Sequence, residues 1–122
     1  LVYFAIYKGW GGEIILPISP SYKVGDVATA VAPEAAIKVT GARPGEKMHE
    51  TMFTSIDAPF TAKRGKYYVI CPTTGTAQWS REDYCGQADT EPVSDGFTYD
   101  SATNASWLSI NDLKSLLAKY MA

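Results

Sequence analysis

Apart from carboxylates, the chain offers few metal-ligating side chains: one histidine, His49, and two cysteines, Cys71 and Cys85. Their spacing matches no zinc pattern, and two thiols are too few for a disulfide scaffold, so both are expected to be free structural cysteines. A Ser-His-Asp arrangement would have to use His49, yet no nucleophile-elbow glycine pattern surrounds any serine. An ordinary histidine is expected there. Long apolar runs are also missing. The longest, Leu1 to Tyr7, falls far short of the roughly 20 residues that span a bilayer and lacks the basic lead-in of a secretory signal. A soluble, cytoplasmic protein with no membrane partner is expected. Nor is there an excess of positive charge: 11 Lys and Arg against 13 Asp and Glu leave a net −2, which argues against nucleic acid as a partner. The ten glycines form neither the G-x-G-x-x-G turn that seats a dinucleotide nor a P-loop, and no tyrosine has a lysine four residues on. No catalytic, cofactor-binding or metal-binding residue is expected within the chain.

What is present suits one small domain over residues 1–122. The length excludes a dinucleotide-binding sheet with a separate substrate domain, and a hydrophobic content of 46% supports one core. The chain opens without an initiator methionine, inside an apolar segment, so a piece of something longer is expected. Charge is uneven. Residues 1–70 carry eight Lys/Arg and six Asp/Glu, and residues 71–122 carry three and seven, so an anionic ligand belongs on the first half.

Leu1 to Lys8 fits either a strand or the last turns of a helix. Glu13 to Ile18 is β-rich, and Pro17 suggests an edge or a strand end. Val24, Val27, Ala28 and Val31 recur at helical spacing, with Pro33 as the stop. Ile37 and Val39 alternate with Lys38 and Thr40, predicting a half-buried strand over Ala35 to Thr40. Glu46 to Met52 holds good helix formers. Lys66 to Ile70 reads as a strand, 73–96 as a long irregular stretch, and Phe97 to Tyr99 as a short extended piece. Ser109 to Tyr120 carries the strongest helix signal, with Ser109 and Asp112 placed for a capping box. The predicted fold is a small α/β or α+β unit with a short mixed sheet and about three helices, exposing apolar surface at Leu1 to Tyr7.

The densest chemistry lies between Ile37 and Glu50. Arg43 offers a planar fork of donors suited to phosphate oxygens, and Pro44 limits where that fork can point. Glu46, three residues on, could accept hydrogen bonds from a diol such as a ribose. The same four residues, Arg43-Pro44-Gly45-Glu46, also fit a plain connection whose Glu suits a helix dipole. Other features have plain readings. Trp107 reads as a core anchor, Lys63-Arg64-Gly65-Lys66 as a solvated basic loop, and Asn104-Ala105-Ser106 as a chance match to a glycosylation pattern.

Taken in order, Gly11-Gly12-Glu13-Ile14, Ser21-Tyr22-Lys23-Val24-Gly25-Asp26-Val27-Ala28, Ala32-Pro33-Glu34, the stretch from Arg43 to Glu50, Tyr67-Tyr68-Val69-Ile70, Tyr99-Asp100-Ser101, Asn104 and Trp107-Leu108-Ser109 form a spaced series. It resembles the C-terminal portion of the UDP-N-acetylglucosamine 4,6-dehydratases, extended short-chain dehydrogenase/reductases of pseudaminic acid, capsule and O-antigen sugar synthesis. The resemblance covers nearly the whole chain except Thr73 to Gly96. It implies a C-terminal substrate-binding portion closing over a UDP-sugar, with Arg43 on the pyrophosphate and Glu46 on the uridine ribose. It further implies a missing N-terminal Rossmann portion that holds NADP(H) and the proton-transfer groups, a homo-oligomer, and a chain that is inactive alone. The complete enzyme would make a 4-keto-6-deoxy sugar, with or without inversion at C5. The stretch Ile56-Asp57-Ala58-Pro59-Phe60 departs from the family's acidic, Arg-containing segment. A stand-alone module for an anionic ligand and a non-catalytic assembly domain remain as alternatives.

Overall fold

A computed structural model describes residues 1–75 and 77–120. Among these residues are four α-helices, a four-stranded sheet and a two-stranded ribbon, with one 3-10 turn at Ala58–Phe60. The expected class, a small α/β or α+β unit with a short sheet, therefore holds, with four helices where about three were expected. The chain divides into two compact units: residues 1–18 with 51–100, and residues 19–50 with 101–122.

In the first unit, helix α1 (Val2–Lys8) precedes strand β1 (Ile14–Pro17). Strand β2 (Thr51–Phe53) follows, then β3 (Thr61–Arg64) and β4 (Tyr67–Ile70). Helix α3 (Arg81–Cys85), β5 (Thr90–Pro92) and β6 (Tyr99–Asp100) complete it. The sheet order is β1-β4-β3-β5, and β2 pairs with β6. Every ladder is antiparallel. Pro17 ends β1 on the sheet edge, where its missing N–H costs no ladder bond. Between β3 and β4 the chain reverses at Gly65-Lys66, and Gly65 takes φ +56 at the first central position, as a two-residue hairpin of primed type demands.

The continuous apolar run Tyr67-Tyr68-Val69-Ile70 is explained by burial on both sides. Successive side chains of a strand point to opposite faces. Tyr68 and Ile70 accordingly pack on a cluster of Phe53, Ala58, Val93 and Tyr99, while Tyr67 and Val69 join Ala62, Cys71 and Tyr84. One short strand thus serves two cores. The 73–96 stretch is less irregular than its composition suggests. It contains α3, closed by a Ser80–Asp83 capping box, and β5.

In the second unit, helix α2 (Val24–Val31) packs against α4 (Ile110–Tyr120). A parallel bridge joins Ser21 and Trp107. The Asn104 amide fastens this corner, donating to the Ser19 carbonyl at 2.8 Å and the Ser21 hydroxyl at 3.1 Å. Asn104 thus has a structural role in this unit. Trp107 is not the expected core anchor: it is 42% exposed, and its indole N–H donates to the Asn104 carbonyl at 2.7 Å.

Two expected elements are absent. Residues 35–40 form no strand, and Ile37 and Val39 stand exposed. Alternation alone cannot satisfy a strand's backbone groups, and no neighbouring strand pairs with this segment. Nor do Glu46 to Met52 form a helix. So short a helix needs a packed face to offset nucleation, and here Thr51–Phe53 instead pairs with β6 and buries Phe53.

The start of α4 is as predicted. Ser109 N–H donates to the Asp112 carboxylate at 2.8 Å, and Asp112 N–H donates back to the Ser109 hydroxyl at 3.2 Å. The Ser109 hydroxyl and amide hold the Asp112 carboxyl below its ordinary range. A depressed folded value means the cap stabilises above the ordinary aspartate pKa, and that contribution is lost as pH falls through the folded value. Ser109→Ala is expected to cost about 1 kcal/mol in urea unfolding near neutral pH. The difference from the parent should shrink in acid. An equal difference at both pH values would show that the box does not act through the carboxylate.

Candidate functional site

Pro44 and Gly45 do build the corner expected of them. Glu46 N–H donates to the Arg43 carbonyl at 3.0 Å, closing a four-residue turn with Pro44 and Gly45 at its centre. Gly45 takes φ +82, the conformation the second central position of a type II turn requires, while Pro44 sets the first. The side chains fold back on the same turn. Arg43 N–H donates to Glu46 Oε2 at 2.7 Å, and the guanidinium lies 3.6 Å from Glu46 Oε1. The Arg43 side chain is 87% exposed and that of Glu46 43%.

The structure thus brings the two predicted site residues together, on a rigid turn open to solvent. It does not supply the flanking strand and helix that the sequence suggested. Residues 31–50 are exposed throughout, His49 and Met48 among them. So exposed an ion pair contributes little to stability, and the guanidinium keeps most of its donors free. Chemically, the corner can present a planar cation and a carboxylate to one ligand.

The cavities found among the described residues are lined by other side chains. One of about 440 Å³ lies beside Lys23, Asp26, Trp107, Leu108 and Ser109. The others belong to the first unit, around Lys63, Arg64, Tyr68, Asp89 and Glu91. The run Lys63-Arg64-Gly65-Lys66 is not a simple solvated loop: Lys63 pairs with Glu91 at 3.0 Å, and Arg64 is half-buried against aromatic rings. Sequence reasoning missed this because the rings come from Phe4 and Tyr84, far away along the chain.

No Gly-rich strand-to-helix turn of the kind that seats a dinucleotide is seen among the described residues. The connections from β1 to α2 and from β6 to α4 contain no glycine, and that from β4 to α3 contains only Gly75. Such a cofactor needs several glycines where a strand enters a helix. Among the described residues no group of His, Cys, Asp and Glu could hold a metal ion. No helix among them is long and apolar enough to cross a membrane.

Both cysteines are free, as expected. Burial, with Cys85 nearby, pushes the Cys71 thiol up to about 12, and burial raises Cys85 as well. Since thiolate is the nucleophile, native protein treated with iodoacetamide at pH 8 should be labelled at Cys85 first. Cys71 should react only after unfolding. Mass spectrometry of peptides reads the order, and equal rates would contradict the burial of Cys71.

Residues 1–72 match a family model described as polysaccharide biosynthesis protein. The chain is 38% identical over 110 residues to a UDP-N-acetylglucosamine 4,6-dehydratase (inverting) of Campylobacter jejuni subsp. jejuni serotype O:2, covering 88% of this chain and 33% of that protein. A protein of the same description from serotype O:23/36 is 37% identical over the same length and shares. The chain therefore spans about a third of the length of these relatives. A crystal structure of Pen from Bacillus thuringiensis superposes with a TM-score of 0.75 at 21% identity, covering 98% of this chain and 35% of that one. That likeness establishes the fold. With the family model spanning more than half of its length, the chain belongs to the polysaccharide biosynthesis protein family.

Proposed function

We propose that this chain is the sugar-nucleotide-binding part of an NADP-dependent UDP-N-acetylglucosamine 4,6-dehydratase serving surface-polysaccharide or flagellin-glycan synthesis. The observation that carries the reading is the 38% identity to the Campylobacter dehydratase across 88% of the chain. The Arg43–Glu46 corner lies within the matched family segment and supports it geometrically. In this reading the Arg43 fork binds the pyrophosphate, and Glu46 exchanges its hold on Arg43 N–H for the ribose hydroxyls. The corner thereby orients the sugar toward a Rossmann portion, which supplies NADP(H) and the groups that move protons. Hydride transfer and loss of water belong to that portion, and the chain alone is inactive.

Exposure of residues 31–50 and of Leu1, Val2, Tyr3, Ile6 and Tyr7 supports the partner half of the proposal. Apolar surface on this scale is costly in water and is what a covering Rossmann portion or a second subunit would bury. The test joins the chain to a matching Rossmann portion and measures UDP-N-acetylglucosamine binding and turnover with Arg43 or Glu46 replaced by alanine. Parent-like binding and turnover in both variants overturns the assignment.

A further inference from the structure

The β3–β4 hairpin carries a cation, Arg64, that no carboxylate among the described residues neutralises. The Arg64 guanidinium lies 5.8 Å from the centre of the Phe4 ring and 5.6 Å from that of Tyr84. The hydrogen bond it makes among the described residues is a long one, from Nη1 to the Tyr84 hydroxyl at 3.4 Å. Among the described residues no carboxylate comes within ion-pair distance of Arg64, Lys8 or Lys66. All three line a cleft of about 450 Å³ together with Phe4, Tyr67 and Asp89. The neighbouring Lys63 is different, because Glu91 pairs with it.

A half-buried guanidinium without a counter-ion has lost hydration that ring faces only partly replace. The two rings also restrict its orientation, so most of its five donors are held ready and unused. Three cations against the single Asp89 leave two positive charges, which matches the charge of a phosphate monoester near neutral pH. The cleft is large enough for a phosphoryl group and part of what carries it.

We propose that the cleft between α1 and the β3–β4 turn binds a phosphoryl group, with Arg64 as its principal contact and Lys8 and Lys66 completing the charge. The site is distinct from the Arg43–Glu46 corner, and Asp89 limits its affinity. Asp89 sits at φ +59, a conformation asparagine also tolerates, so Asp89→Asn removes the opposing charge without disturbing the turn.

The experiment titrates the isotope-labelled 122-residue chain with inorganic phosphate, followed by amide and Arg Nε–Hε NMR signals. Parallel titrations use sodium chloride at matched ionic strength, and acetate. Phosphate should shift the Arg64 Nε–Hε and the Lys66 and Asp89 amides saturably. Asp89→Asn should tighten binding about threefold, Lys66→Gln should weaken it by a similar factor, and Arg64→Gln should abolish it. Acetate should bind more weakly. Shifts that chloride reproduces would overturn the proposal, as would affinity unchanged in both Asp89→Asn and Lys66→Gln. Acetate binding as tightly as phosphate would overturn the phosphoryl assignment. Shifts confined to residues 41–46 would also overturn it, because they would place phosphate on the other corner. The two sites are thus read separately.

Discussion

Tyr84→Ala is expected to remove about 3–5 kcal/mol from the unfolding free energy, the cost typical of deleting a buried aromatic ring. Tyr84 is fully buried in α3 and is the largest side chain in that state. Its ring lies 5.5 Å from Trp79 and 5.1 Å from Trp10, and the Arg64 guanidinium covers it. Few partners could close the gap, since Ala62 and Val69 beside it belong to strands whose positions the ladder sets. With total stabilities of about 5–15 kcal/mol, a loss this large threatens the fold of the first unit. Tyr84→Phe separates the ring from its hydroxyl. It keeps the packing and loses only a 3.4 Å contact to Arg64, so about 1 kcal/mol or less is expected. Urea unfolding followed by tryptophan fluorescence reads both variants. A Tyr84→Ala form as stable as the parent would mean that this cluster does not hold the unit together.

Arg43→Ala, in a chain joined to a Rossmann portion, is expected to weaken UDP-N-acetylglucosamine binding about 10- to 100-fold. That range corresponds to a charge-assisted hydrogen-bonded pair worth roughly 1.5–3 kcal/mol once the joined portion and the ligand exclude water. Arg43→Lys should recover only part of the loss, because an ammonium cannot reproduce the planar fork. Glu46→Ala should have a smaller effect, and Glu46→Gln smaller still, since the amide keeps an acceptor for a ribose hydroxyl. Neither position supports the fold. Both side chains are substantially exposed, so unfolding midpoints should stay within about 0.5 kcal/mol of the parent. Calorimetry with UDP and with UDP-N-acetylglucosamine measures the binding. A loss of stability matching the loss of affinity would instead make the corner a structural turn.

Features that rest on local physics appear in the structure as the sequence predicts. Ser109 and Asp112 close the predicted box because both partners lie within one turn, and the α2 helix appears where Val24, Val27, Ala28 and Val31 share a face. The Arg43–Glu46 turn is equally local: a proline and a glycine at its centre suffice. Segments whose structure needs distant partners are less legible in the sequence. Ile37 and Val39 alternate like a strand, but alternation says nothing about whether another strand is there to pair. Leu1 to Lys8 fits either a strand or a helix by its sequence, and in the structure Val2–Lys8 is a helix whose Phe4 packs on Tyr67.

By itself, then, the sequence determined the Ser109–Asp112 cap, the Pro44-Gly45 turn, the α2 helix and the apolar strand at Tyr67 to Ile70. These depend on steric limits, on hydrogen bonds a few residues apart and on the order of residues. Only the tertiary structure decided that Tyr68 and Val69 serve opposite cores and that Arg64 rests against Phe4 and Tyr84 while Lys63 meets Glu91. Burial and charge neutralisation depend on groups brought together across many residues. The neutralisation of a cation is a property of the folded neighbourhood, which no short window of residues contains.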